Sequence, residues 1–85
     1  MATPPQMVDF SLGARIRFAM REARLTVVGL ADRVGVSRAS MTEYVNDARD
    51  IPSRVLARMV KELRSAGLDW VSADWVLFGT TTTGL

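Results

Sequence analysis

Residues 29–45 read GLADRVGVSRASMTEYV and contain two short helical patterns separated by a glycine. Thr26 can cap the first helix, and Gly35 can end it because glycine readily adopts the left-handed conformation just past a helix C-terminus. Ser37 can then cap a second helix over residues 38–45. The apolar positions have helical spacing and are Val27, Leu30, Ala31 and Val34 in the first helix and Met41, Tyr44 and Val45 in the second. The stretch therefore predicts two helices joined by a tight turn.

Four residues of this stretch meet the packing demands of such a turn. Ala31 is small where the two helices cross closely, and Gly35 takes the turn. Val36 fills the gap between the helices, and Met41 anchors the second helix from beneath. Together they indicate a helix-turn-helix.

Helical patterns also flank this pair. Ser11 can cap an N-terminal helix whose buried stripe is Leu12, Ile16, Ala19, Met20 and Ala23. Arg15, Arg21, Glu22 and Arg24 of this helix should face solvent, and Phe18, which lies off the stripe, should pack against a later helix.

Two more helices follow a loop at residues 46–52, where Pro52 forces Ile51 into an extended conformation. Ser53 should cap the fourth helix, and Gly67 should end it. The last helix should start near Ser72, bury Trp75 and Phe78, and end at Gly79. Five helices with short connections predict an all-α, compact five-helix bundle.

Both ends of the chain lack this patterning. Residues 1–10 contain two adjacent prolines, and residues 80–85 are a threonine tract with a glycine. We therefore expect a flexible N-terminal tail over 1–10, a single domain over 11–79 and a flexible C-terminal tail over 80–85.

The composition argues against catalysis. The chain has no cysteine and no histidine, so the usual metal ligands and the usual general base are missing, and its acidic residues are scattered singly. We expect no enzyme activity, no metal and no cofactor. Lys61 is the only lysine among 11 basic residues, and arginine suits phosphates and guanine edges. No apolar run could span a bilayer and no signal peptide is evident, so we expect no membrane association and a cytoplasmic, nucleoid-associated protein.

The sequence resembles the Cro/phage-repressor (XRE-type) helix-turn-helix family over residues 11–79. The matching positions, in order, are Leu30-Ala31, Gly35-Val36-Ser37, Met41, Tyr44, Pro52 and the closing stretch Asp74-Trp75-Val76-Leu77-Phe78-Gly79. The resemblance implies a lambda-repressor-like DNA-binding domain. It also implies a sequence-specific regulator of transcription that binds double-stranded DNA, namely a phage or bacterial repressor of the Cro or immunity type that acts by occupying its operator.

Two stretches depart from the family pattern. Val27 and Val28 stand where many members have a phosphate-binding glutamine, and Val45-Asn46-Asp47 stands where members often have Glu-x-Gly. We expect Arg49 to replace the lost phosphate contact.

The resemblance places the helix of residues 38–45 in the major groove of DNA. Helical geometry then predicts the base-reading residues to be Arg38, Ala39, Thr42 and Glu43. The residues expected to contact phosphate, or phosphate and base, are Ser37, Ser40, Asn46, Arg49, Arg33 and Arg54. Two alternatives stay open, because Ser37 can act only as a helix cap and Glu43 can form a salt bridge with Arg38.

A single reading helix rarely specifies a site alone, so we expect a homodimer on a two-fold symmetric operator. The expected dimer surface consists of Leu68, Trp70, Val71, Val76 and Leu77, whereas Trp75 belongs to the core.

A second interpretation is a protein-interaction module, such as an antitoxin or an adaptor with the same fold. It is motivated by the net charge of only +2 and by Glu43, Asp47 and Asp50 near the presumed DNA face. Since no ligand pocket is evident in the sequence, we expect no small-molecule ligand in either case.

Overall fold

The computed structural model describes residues 4–80, which contain five helices and no strand. The helices are α1 (Leu12–Ala23), α2 (Val27–Val34), α3 (Arg38–Val45), α4 (Ser53–Ser65) and α5 (Ala73–Phe78). The radius of gyration is 11.9 Å, which is what a compact chain of this length should have. The predicted all-α class is confirmed. Within the described range, no helix is long and apolar enough to cross a membrane.

Side-chain caps start four of the helices, because the first amides of a helix have no partner within it. Ser11, Thr26, Ser37 and Ser72 each accept a hydrogen bond from the amide three residues further on. The predicted caps Ser11, Thr26 and Ser37 are confirmed, and the last helix starts just after Ser72, as expected. The prediction for Ser53 is wrong, because α4 begins at Ser53 itself, with Pro52 before it and no side-chain cap.

The core lies between the inward faces of all five helices. Its largest fully buried side chains are Trp75, Ile16, Leu30, Met41, Met59, Leu63, Val71 and Val76. Trp75 meets Trp70 edge-on, with ring centroids 5.0 Å apart, and Phe18 lies 6.3 Å and 6.4 Å from the Trp70 and Trp75 rings. Trp75 is thus a core residue and Phe18 packs against α5, both as predicted.

The end of α5 differs from the prediction. Phe78 was expected in the core but is 55% exposed, whereas Val76 is 1% exposed. Met7 is buried at this end of the helix instead, and its amide donates to the Gly79 carbonyl at 2.8 Å. The N-terminal segment therefore takes the space that periodicity assigned to Phe78.

Arg15 is the second correction, since it was expected to face solvent and is 6% exposed. Its Nε donates to the Met7 carbonyl at 2.9 Å, Nη1 to the Val76 carbonyl at 2.8 Å and Nη2 to the Val8 carbonyl at 3.3 Å. The buried guanidinium is satisfied by three backbone acceptors, which is the usual condition for burying a charged donor.

The N-terminal segment also differs from the expected tail. Besides the contacts of Met7, the Pro5 carbonyl accepts a hydrogen bond from Trp75 Nε1 at 2.7 Å. Residues 5–8 thus pack onto α1 and α5 and belong to the domain. Of the predicted C-terminal tail, residues 81–85 lie outside the described residues.

Candidate nucleic-acid interface

The turn between α2 and α3 has the geometry that its sequence predicts. The amides of Gly35 and Val36 both donate to the Ala31 carbonyl, at 2.8 Å and 3.1 Å. Gly35 has φ of 86°, and a Cβ at this position would meet no atom within 4 Å. The left-handed backbone conformation, and not crowding, therefore requires glycine here. Ala31 and Met41 are buried beneath the turn and Val36 is half-buried.

The start of α3 is held by two serines. Ser37 Oγ accepts from the Ser40 amide at 3.0 Å and donates to Ser40 Oγ at 3.0 Å. Ser37 is therefore a helix cap, which is the alternative left open by the sequence. Both hydroxyls are already engaged within the protein.

The outer face of α3 carries the four residues predicted to read bases. Arg38, Ala39, Thr42 and Glu43 are all exposed. Thr42 Oγ1 donates to the Arg38 carbonyl at 3.0 Å, so its hydroxyl serves its own helix. The Arg38 side chain has no hydrogen bond or ion pair with any residue between 4 and 80. Within the described residues, the first turn of α3 therefore carries one guanidinium without a partner.

Glu43 forms an ion pair with Arg49 and not with Arg38, the partner that the sequence left open as an alternative. Its Oε1 lies 2.9 Å from Arg49 Nη1, in an ion pair in which both side chains are about half exposed. Arg38 precedes Glu43 by five residues, which places the two on different sides of the helix, whereas ion pairs form at spacings of three or four. Arg49 also lies 5.4 Å above the Tyr44 ring. The hydrogen bond to Glu43 is the main reason that the pKa of Arg49 is raised further above its usual value.

Asp47 ties the end of α3 to the start of α1. It has φ of 60°, and its carboxylate accepts from Ser11 Oγ at 2.6 Å and from the Gly13 amide at 2.8 Å. The Ser11 hydroxyl, then the Gly13 amide and the positive charges of Arg17 and Arg15, hold the pKa of Asp47 below its ordinary value, against the effect of its partial burial.

Two neighbours of Asp47 complete this junction. Arg17 Nη1 donates to the Val45 carbonyl and lies 3.5 Å from Asn46 Oδ1. A Cβ on Gly13 would lie 2.5 Å from the Val45 oxygen and 2.8 Å from the Asp47 carboxylate oxygens, so only glycine fits without a shift. Sequence reasoning missed these roles because the partners are 28 to 36 residues apart.

The predicted phosphate-binding arginines differ in whether an acidic side chain already compensates their charge. Arg33 lies 3.8 Å from Glu62, so its charge is already compensated in part. Arg54 is exposed and lines a groove of about 250 Å³ beside the α2–α3 turn, together with Arg58. Arg58 was not predicted, although it follows Arg54 by four residues and thus shares its helix face.

The predicted dimer surface needs correction. Leu68, Val71 and Val76 are 8%, 0% and 1% exposed, so they form the core of a single chain and not a surface. Trp70 is half-buried and Leu77 is 42% exposed. Other large apolar side chains are exposed on the N-terminal segment, namely Val8 and Phe10, and at the end of α5, namely Phe78.

Comparison with protein-family models, with curated proteins and with solved structures finds no match to this chain. Within residues 4–80, no group of three or more acidic side chains is placed to hold a metal ion. The chemistry of the exposed side chains is therefore the basis for assigning a function.

Proposed function

We propose that this protein is a sequence-specific regulator of transcription that binds double-stranded DNA, with α2 and α3 as its helix-turn-helix and α3 in the major groove. The observation that carries the proposal is the outer face of α3, where the Arg38 guanidinium, unpaired within residues 4–80, lies in the first turn beside the exposed Ala39 and Thr42. The resemblance to phage and bacterial repressors supports the same assignment. The mechanism is occupancy of an operator.

Arg38 is the principal base-reading residue of this proposal. Its fork of N–H donors matches O6 and N7 of guanine, a contact that discriminates against other bases by about 1–3 kcal/mol. The Thr42 methyl and Ala39 can meet a thymine methyl group, because the Thr42 hydroxyl is bonded to its own helix. Glu43 can accept from a cytosine amino group only if it leaves Arg49.

In this proposal, arginines outside α3 make most of the contacts to phosphate. Arg54 and Arg58 flank the turn and have no carboxylate partner in the described part of the chain, so they are the favoured residues. Arg33 and Arg49 must each first give up an ion pair. The Ser40 hydroxyl, which keeps its own proton to donate, and the side chain of Asn46 complete the set of polar contacts at the two ends of α3, whereas the Ser37 hydroxyl serves the helix cap.

Specificity further requires two copies of α3. A two-fold dimer that places the two reading helices about 34 Å apart can recognise a symmetric operator. Of the predicted interface, Trp70 and Leu77 remain accessible for such a dimer. The location that fits this activity is the cytoplasm, at the nucleoid.

The test is selection of bound duplexes from a random DNA pool at two salt concentrations. Wild type, Arg38→Ala and Arg21→Ala are compared, because Arg21 is also an exposed helical arginine without a partner among residues 4–80, but lies on α1. We expect a symmetric motif with wild type and with Arg21→Ala, and loss of a guanine preference with Arg38→Ala. Binding should weaken steeply with salt, because each phosphate contact releases counterions. A motif that is identical for all three proteins would show that Arg38 does not read a base in the major groove.

A second candidate is a protein-interaction module, such as an antitoxin domain or an adaptor, that uses the α3 face. It is favoured by the Glu43–Arg49 pair, which cancels a positive charge beside α3, and by the exposed Asp50 close to it. If no duplex is enriched even at low salt, this candidate replaces the DNA-binding proposal.

A further inference from the structure

A groove of about 420 Å³ lies between the N-terminal segment and α1. Met7 and Phe10 form one side, and Phe18, Arg17 and Arg21 of α1 contribute to the other. The sequence-based expectation of no small-molecule ligand rested on the absence of a pocket. The groove exists because residues 5–10, assigned from the sequence to a flexible tail, fold against α1.

The lining of the groove combines apolar walls with positive charge. Its apolar members belong to the N-terminal segment and to α1, and among the residues that the structure describes its only charged members are Arg17 and Arg21. The carboxylates nearest in sequence, Asp9 and Glu22, do not line it. The two arginines are four residues apart, which places both guanidinium groups on the same face of α1.

The two guanidinium groups have donors to spare. Arg21 has no hydrogen bond or ion pair in the described part of the chain. Arg17 uses Nη1 for the Val45 carbonyl and Asn46, so its Nε and Nη2 donors stay available. A carboxylate at the mouth of the groove would meet both side chains.

We propose that this groove binds a small amphipathic carboxylate, with an apolar body against Met7, Phe10 and Phe18 and its carboxylate at Arg21 and Arg17. The volume lies within the range of about 300–1,000 Å³ that is usual for small-molecule sites. Such sites are mostly apolar and use a few placed polar groups to orient the ligand, as here. The charge complementarity selects an acid over a neutral or basic ligand of the same shape.

Arg17 connects this site to α3. The guanidinium that receives the ligand also donates to the backbone carbonyl of Val45, the last residue of α3. A carboxylate that draws Arg17 towards the groove therefore changes the environment of Val45 and Asn46. Binding in the groove can therefore be detected at Val45 and Asn46, which do not line it.

The test is an NMR titration of the full chain with three probes of one shape, namely phenylbutyrate, phenylbutyramide and phenylbutylamine. We expect phenylbutyrate to shift amide signals of residues 5–21 and of Val45 and Asn46. The amide should bind about tenfold more weakly, and the amine more weakly still, because a charge-assisted hydrogen bond is lost.

Variants separate the site from general apolar adsorption. Arg21→Ala should weaken phenylbutyrate binding about tenfold, whereas Arg38→Ala should leave it unchanged. Ala14→Leu places a larger side chain in the groove wall and should abolish binding. Retained dispersion of the amide spectrum shows that each variant is folded, and Arg21→Ala alone decides if Ala14→Leu does not fold.

Equal affinity for the three probes, equal effects of Arg21→Ala and Arg38→Ala, or no shifts in the groove would each overturn the proposal. The outcome is independent of DNA binding. Arg38→Ala should lose the selective binding of duplex DNA and still bind phenylbutyrate. Arg21→Ala should bind phenylbutyrate more weakly and still bind the duplex.

Discussion

Asp47→Asn tests how much the junction between α3 and α1 stabilises the fold. Two hydrogen bonds reach the carboxylate, at 2.6 Å from Ser11 and 2.8 Å from Gly13. Hydrogen bonds to a charged group contribute roughly 1.5–3 kcal/mol each. Because Asp47 is exposed, solvent screens the part of this stabilisation that depends on its charge. We therefore expect Asp47→Asn to lower the free energy of unfolding by about 1 kcal/mol. Asparagine suits the same left-handed backbone, so the substitution removes charge without adding strain.

Asp47→Ala should cost more than Asp47→Asn. It removes both hydrogen bonds and leaves at φ of 60° an alanine, which lacks the polar side chain that lets aspartate and asparagine adopt this left-handed conformation below its usual cost of about 1–2 kcal/mol. We expect a total loss of about 2–3 kcal/mol in the free energy of unfolding. Asp50→Asn is the control, because this exposed carboxylate has no partner among the described residues.

The effect of Asp47 should depend on pH. Its pKa is lower in the folded protein than in the unfolded chain, mainly through the Ser11 hydroxyl, so the unfolded state binds more protons in acid. The stabilisation is fully present above the unfolded pKa of about 3.9 and is lost as the pH falls through the folded pKa. The difference between wild type and Asp47→Asn should therefore be largest near neutral pH and shrink below about pH 4.

Urea unfolding, followed by the tryptophan fluorescence to which the buried Trp75 and the half-buried Trp70 both contribute, measures these free energies at neutral and at acid pH. Equal stability of wild type and Asp47→Asn near neutral pH would show that the junction contributes nothing. A difference that is the same in acid would show that the charge is not its source.

Three further predictions concern other parts of the molecule. Arg15→Met should destabilise the domain by about 3 kcal/mol or more in urea unfolding, because the carbonyls of Met7, Val8 and Val76 each lose a guanidinium donor. A loss below about 1 kcal/mol would mean that water replaces the guanidinium. Gly79→Ala should lower the thermal midpoint, since φ is 79° and the new Cβ would collide with the Met7 backbone, and an unchanged midpoint would show that the N-terminal segment moves away freely. Glu43→Gln should free Arg49 and steepen the salt dependence of non-specific duplex binding by about one counterion, and an unchanged slope would exclude Arg49 from the phosphate backbone.

Local sequence signals determined the helices of this protein. Ser37 caps α3 and Gly35 ends α2 as predicted, and α3 spans the predicted residues 38–45. These features depend on hydrogen bonds between residues three to five positions apart, so a short window of sequence contains both partners. The exposure of Arg38 followed in the same way from the helical period, because the inward face of α3 was marked by apolar residues.

The tertiary structure decided what depends on distant partners. Arg15 is buried because it meets the carbonyl of Val76, 61 residues away, and Asp47 is engaged because it meets Ser11, 36 residues away. Periodicity placed Phe78 inside, but the space beside the end of α5 is taken by Met7, from a segment without any periodic pattern. A helical period shows which residues share a face, but only the packing of the whole chain decides which segment covers that face.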